Sequence, residues 1–156
     1  MMHALDQADA TRARWVADQN GVVGYVQLSR CWLDTRAALV EVLTLTPLAV
    51  LPEHQRRGIA TALIEAALQH ADRLGYPAVF LEGDQNFYRP RGFECAEDLG
   101  LLRPSPRIPR PAFHVARLSR YRSDLVGQFV YPDVMWVNDC VGLRDPRLAR
   151  MEAELE

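Results

Sequence analysis

The stretch PEHQRRGIATALIEAALQHADRLG, residues 52–75, holds a helix that begins without a cap. Ile59, Ala62, Leu63, Ala66, Ala67 and His70 recur at helical spacing, and Gly75 supplies a C-terminal stop. The first turn of a helix leaves backbone N–H groups unpaired, and Ser, Thr, Asp or Asn ordinarily satisfies some of them. Here Gln55, Arg56, Arg57 and Gly58 stand in that place.

A helix N-terminus carries partial positive charge, and a bound phosphate satisfies several of its donors at once. Two arginines add charge. Gly58 leaves room for close approach, and Ala60 keeps a second approach point small. The fingerprints GxxxxGK[ST] and GxGxxG are both absent, so the triphosphatase and dinucleotide loops are excluded. The plain alternative is an uncapped helix with solvated arginines.

Working outward, ALVEVLTLTPLAVL (residues 38–51) is rich in β-branched residues and leucine and predicts a central strand. Pro47 cannot donate a ladder hydrogen bond, so the strand is expected to bulge or splay there. That would open a slot beside the phosphate site. A pyrophosphate carrying a peptide-like arm suits such a pair, and coenzyme A has that form. Upstream, ARWVAD, the turn QNG and VVGYVQLSR read as a hairpin. Downstream, AVFLEG is a short buried strand, NFYRPRGF a turn or short helix, and RPSPRIPRP (103–111) an extended loop. AFHVARL and GQFVYPDVMW read as two late strands, and the tail from Asp139 as a loop and short charged helix. MMHALDQADAT is read as a frayed start. The pattern is a mixed α/β sheet in one domain over 1–156, with its core at about 12–135.

Composition narrows the partners. Of 156 residues, 49% are hydrophobic and 24% charged, which fits a folded globular chain. The net charge of −2 argues against a broad nucleic-acid surface. All 18 basic residues are arginine, read first as composition bias. Cys31, Cys95 and Cys140 are far apart and odd in number, with no metal-ligand spacing, so no metal is expected. Reduced cysteines and the lack of a membrane-length apolar run or signal-peptide core lead to the expectation of a cytoplasmic protein.

LAVLPEHQRRGIATALI resembles the acyl-CoA-binding motif of the GNAT superfamily of N-acetyltransferases, Q/R-x-x-G-x-G/A, with Gln55, Gly58 and Ala60 at its fixed positions. NFYRPRGF resembles the superfamily's Tyr-x-x-x-Gly-Phe segment through Tyr88, Gly92 and Phe93. With GDQNFY and AFHV, the likeness is to the bacterial YhbS-like branch over about residues 12–135. The resemblance implies a GNAT-like acyl-CoA-binding fold that moves an acetyl group from acetyl-CoA to a primary amine, small molecule or peptide, by direct attack. It implies that backbone groups of Leu48, Ala49 and Val50 pair with the pantetheine arm. Backbone N–H groups of Arg56, Arg57, Gly58, Ile59, Ala60 and Thr61 would hold the pyrophosphate. Tyr88 would protonate the departing thiolate, a reasonable donor since a phenol titrates near pH 10. Packing against the cofactor arm is the other reading of Tyr88.

Two departures stand out. Some relatives carry a strand glutamate where this chain has Thr44. Glu41 points to the other face of a regular strand. Glu82, at the end of AVFLE, is the candidate general base, acting through water; the alternative is a solvent-facing carboxylate. His54 and His114 are further candidates. The segment before RWVAD is also shorter than in relatives. That leaves the acceptor cleft open, or completed by the tail or a second subunit, and leads to an expected homodimer on uncovered apolar sheet surface. The competing functional readings are a non-catalytic acyl-CoA-binding or sensing module and a sugar-phosphate or nucleotide binder.

Overall fold

The computed structural model describes residues 1–155. In chain order the elements are α1 (Met2–Gln7), β1 (Thr11–Asp18), β2 (Val22–Asp34), β3 (Leu39–Val50), α2 (Ile59–Arg73), β4 (Ala78–Glu82), the single turn α3 (Gln85–Tyr88), β5 (Glu94–Cys95), β6 (Leu101–Leu102), β7 (Phe113–Arg117), β8 (Gly127–Val130), α4 (Asp133–Val137) and α5 (Arg147–Leu155). The strands form one mixed sheet ordered β5-β7-β4-β3-β2-β8-β6, with β1 also paired to β2.

The β1–β2 hairpin turns at Asn20 and Gly21, both at positive φ, as the QNG signal predicts. β3 pairs antiparallel with β2, but the register slips. Val26 faces Leu48 while Leu28 faces Leu45, so Thr46 and Pro47 sit in a bulge of β3. A bulge bends its strand. On the other edge, β3 meets β4 in parallel only at Leu43–Val79 and Thr44–Phe80. Beyond Thr44 the two strands diverge, and the slot expected from Pro47 opens there.

α2 covers one face of the sheet. Leu63, Ile64, Ala67 and Ala71 bury against Val26, Leu28, Leu43, Leu45, Val79 and Leu81. Gly24 permits the close approach, because a β-carbon there would lie 3.0 Å from Ile59 Cγ2 and 3.1 Å from Leu63 Cδ1. The opposite face is an aromatic core. Phe80 sits 5.6 Å from Phe113 and 4.6 Å from Phe129, ring centre to ring centre. Leu5, Tyr131, Met135 and Val141 close over it.

Three expectations change here. The N-terminus is not frayed: α1 forms, and Leu5 and Ala10 are fully buried, outside the core placed at 12–135. Burial of Leu5 and the bonds from Thr11 O–H and the Arg14 guanidinium to Asp6 tie this short helix to β1, tertiary contacts that its polar composition conceals. GQFVYPDVMW is not one strand. β8 stops at Val130, and α4 starts after Pro132, whose fixed φ suits a helix start. The sheet face expected to lie bare is covered by α1, α4 and the segments around Ile108 and Val141, so the homodimer expectation loses its stated reason.

Candidate active site

Where β3 and β4 part, a cavity of about 540 Å³ runs from Leu48, Ala49 and Val50 to the N-terminus of α2. Arg56 and Gly58, at φ 60° and 81°, turn the chain into the helix. Gly58 meets that demand at no steric cost, and a β-carbon on it would find no atom within 4 Å. No side chain caps α2. Its first intrahelical bond is Ala62 N–H to Gly58 O at 3.0 Å, which leaves the N–H groups of Ile59, Ala60 and Thr61 ahead of the ladder. Gln55 turns back instead, donating from Nε2 to the Val50 carbonyl at 3.0 Å and tying the loop to the strand end.

Ten of the eleven cofactor-site residues expected from the sequence line this cavity: Leu48, Ala49, Val50, Gln55, Arg56, Gly58, Ile59, Ala60, Thr61 and Tyr88. The exception is Arg57, whose side chain is exposed beside the cavity rather than in it. His54, Phe87 and Arg91 also line it. Arg91 is the residue that sequence reading passed over. Its Nε donates to Thr61 Oγ1 at 3.0 Å and its Nη1 to the Phe87 carbonyl at 2.5 Å, with the guanidinium 3.9 Å from the Phe87 ring centre. It thus bridges α3 to the first turn of α2 and adds a cation there. Its only signal was an arginine three residues after Tyr88.

Tyr88 packs edge-on against Phe87 and Phe93 and lies over Gly83, where a β-carbon would run into the ring. Burial pushes its phenol above the ordinary tyrosine range, against the opposing pull of Arg91. At neutral pH it therefore keeps its proton.

Glu82 lies elsewhere. One carboxylate oxygen accepts from Tyr131 O–H at 2.9 Å and the other from Gly142 N–H at 3.0 Å. Burial raises its pKa, and those two hydrogen bonds and Arg107 oppose the rise. It does not line the cavity of Tyr88 but a second one on the same β4–α3 segment. It is not solvent-facing, as the plain alternative supposed. Glu41 accepts from Arg12 Nε at 3.2 Å and Tyr76 O–H at 2.9 Å, far from either role. Thr44 is fully buried in the middle of β3. His54 Nδ1 lies 3.1 Å from Gln19 Oε1 at the rim. His114 is fully buried with Nε2 3.1 Å from the Gly83 carbonyl, and burial lowers its pKa, so it stays neutral and holds the segment beneath Tyr88. Among the described residues no cluster of His, Cys, Asp and Glu is arranged to hold a metal.

The acetyltransferase (GNAT) domain model matches residues 11–95, more than half of the chain and all of the β3–α2 loop and Tyr88 segment. The chain belongs to the GNAT acetyltransferase family. Among solved GNAT structures, it is similar to that of YhbS from Escherichia coli in complex with CoA, with a TM-score of 0.77 and 28% identity over 86% of this chain and 74% of that one. A GNAT acetyltransferase from Brucella melitensis, in complex with acetyl-CoA, shares the fold at a TM-score of 0.67 and 24% identity, covering 86% of this chain and 75% of that one. Over 85 residues the chain is 34% identical to YjhQ of Escherichia coli K12, described as an uncharacterized N-acetyltransferase. That match takes in 54% of this chain but 47% of YjhQ, so it spans about half the length of this curated relative.

Proposed function

We propose that this GNAT chain transfers an acetyl group from acetyl-CoA to a primary amine in a ternary complex. The observation that carries the reading is the cavity between the diverging ends of β3 and β4, which ends on the uncapped start of α2. The CoA bound to the similar YhbS structure supports it. The N–H groups of Ile59, Ala60 and Thr61, with Arg56 and Arg91 beside them, suit a pyrophosphate. The backbone of Leu48–Val50, unpaired toward β4, suits the amide-bearing arm. The amine attacks the thioester carbonyl, the carbon–sulfur bond breaks, and the thiolate takes the proton that Tyr88 holds. Glu82, acting through water, receives the proton lost by the amine.

The non-catalytic reading has one observation in its favour: both Glu82 oxygens already accept hydrogen bonds, and Thr44 stands where a strand carboxylate would serve. The test is incubation with acetyl-CoA and a panel of primary amines, following free thiol and acetylated product together. Amine-dependent thiol release is expected. Tight CoA binding with thiol release no faster than buffer hydrolysis across the panel would favour the sensing module. No helix among the described residues is long and apolar enough to cross a membrane. We place the reaction in the cytoplasm, where acetyl-CoA is to hand; a tagged chain found in the periplasmic or extracellular fraction would overturn that placement.

A further inference from the structure

The β4–α3 segment lines two cavities. Phe87 and Tyr88 line the one already described; Glu82, Asp84 and Asn86 line a second, of about 510 Å³. Ile108, Pro109 and Pro111 of the proline-rich loop form part of its wall, and the C-terminal segment supplies another part through Gly142, Leu143 and α5.

That segment is fastened in place at one end. Gly142 N–H donates to Glu82, and Leu143 N–H donates to the Arg107 carbonyl at 2.9 Å. Gly142 has φ 62°, and a β-carbon on it would stand 2.7 Å from that same carbonyl oxygen, so the contact requires glycine. Beyond the fastening, α5 buries none of its residues. A short solvated helix gains little from its own hydrogen bonds. Its apolar side chains nevertheless fall on one face, Leu148, Met151 and Leu155, spaced at three and four residues. Met151 and Leu155, with Glu154, reach the cavity. The lining is therefore apolar along its walls and acidic at Glu82, Asp84 and Glu154. Arg107 is its one basic residue, and Asp139 lies 3.7 Å from it.

Resting on the acetyl-transfer reading, we propose that α5 is a wall of the acceptor site. Met151 and Leu155 select a primary amine with an apolar alkyl or aryl body, and the carboxylates draw its ammonium end toward the β4–α3 segment.

Calorimetry on the CoA-saturated protein tests this with phenethylamine and ethanolamine. Phenethylamine is expected to bind about tenfold or more tighter than ethanolamine, as an apolar pocket distinguishes hydrocarbon from its absence. Met151→Trp, which fills the cavity, and removal of residues 146–156 should each weaken phenethylamine by about tenfold and leave CoA affinity unchanged. Since α5 buries nothing, both variants should stay folded, which circular dichroism checks. Unchanged phenethylamine affinity in either folded variant would overturn the proposal, as would a wild-type chain with no preference for it. Binding that depends on α5, with no acetylation of any amine in the panel, supports the wall and refutes acetyl transfer. Acetylation indifferent to both changes in α5 does the reverse.

Discussion

At the scale of single residues, Tyr88 is defined by what surrounds it. Gly83 gives it a seat, Phe87 and Phe93 hold its ring edge-on, and burial keeps its phenol protonated. Tyr88→Phe preserves the ring and those contacts. CoA affinity is therefore expected to hold while turnover falls by about 10²-fold, the range for losing a positioned acid. Such a split marks an interaction made in the transition state. Stopped assays showing full turnover, or a loss of affinity with turnover kept, would make Tyr88 a packing residue. Arg91 shows the limit of reading residues one at a time. In sequence it is a spacer inside Tyr-x-x-x-Gly-Phe; its bond to Thr61 depends on α3 folding back against the start of α2.

At the scale of elements, the loop into α2 and the bulge in β3 act together. The bulge at Thr46–Pro47 bends β3 away from β4, and the uncapped helix start faces the gap. Both were legible. Proline's missing donor and a helix without a cap are local facts that tertiary packing does not reverse. Gly58 is the joint between them. Gly58→Glu adds a carboxylate where a phosphate is expected and puts a side chain at φ 81°. CoA binding is expected to be lost, with a stability cost of about 1 kcal/mol for the forced left-handed residue. Titration calorimetry on the folded variant checks this, and an unaltered CoA affinity would remove the phosphate site from α2.

At the scale of the whole molecule, the sheet has a core on each face, and the second depends on both chain ends. Leu5 from α1 and Val141 from the tail are fully buried beside Phe80, Phe113 and Phe129. Leu5→Ala is expected to cost about 2 kcal/mol, the low end for a buried leucine because a terminal helix can resettle. Urea unfolding would show it as a lower midpoint with an unchanged slope. An unmoved midpoint would mean that α1 is only laid on the surface. The same closure accounts for Glu82. Its carboxylate joins β4 to Tyr131 and Gly142, residues 49 and 60 positions away, and no local pattern announces such a partner.

The mixed sheet, the bulge at Thr46–Pro47, the uncapped start of α2 and the turn at Gly58 could all be read from the sequence. Each follows from short-range constraints: a period, a missing donor, a missing cap, a glycine at positive φ. Tertiary structure alone decided the burial of α1, the end of β8 at Val130, the bridge made by Arg91 and the placing of Glu82 beside a second cavity. These rest on contacts between segments distant in the chain. Whether a polar stretch such as MMHALDQADAT is ordered depends on the apolar surface waiting for Leu5, and that surface exists only once the sheet has formed.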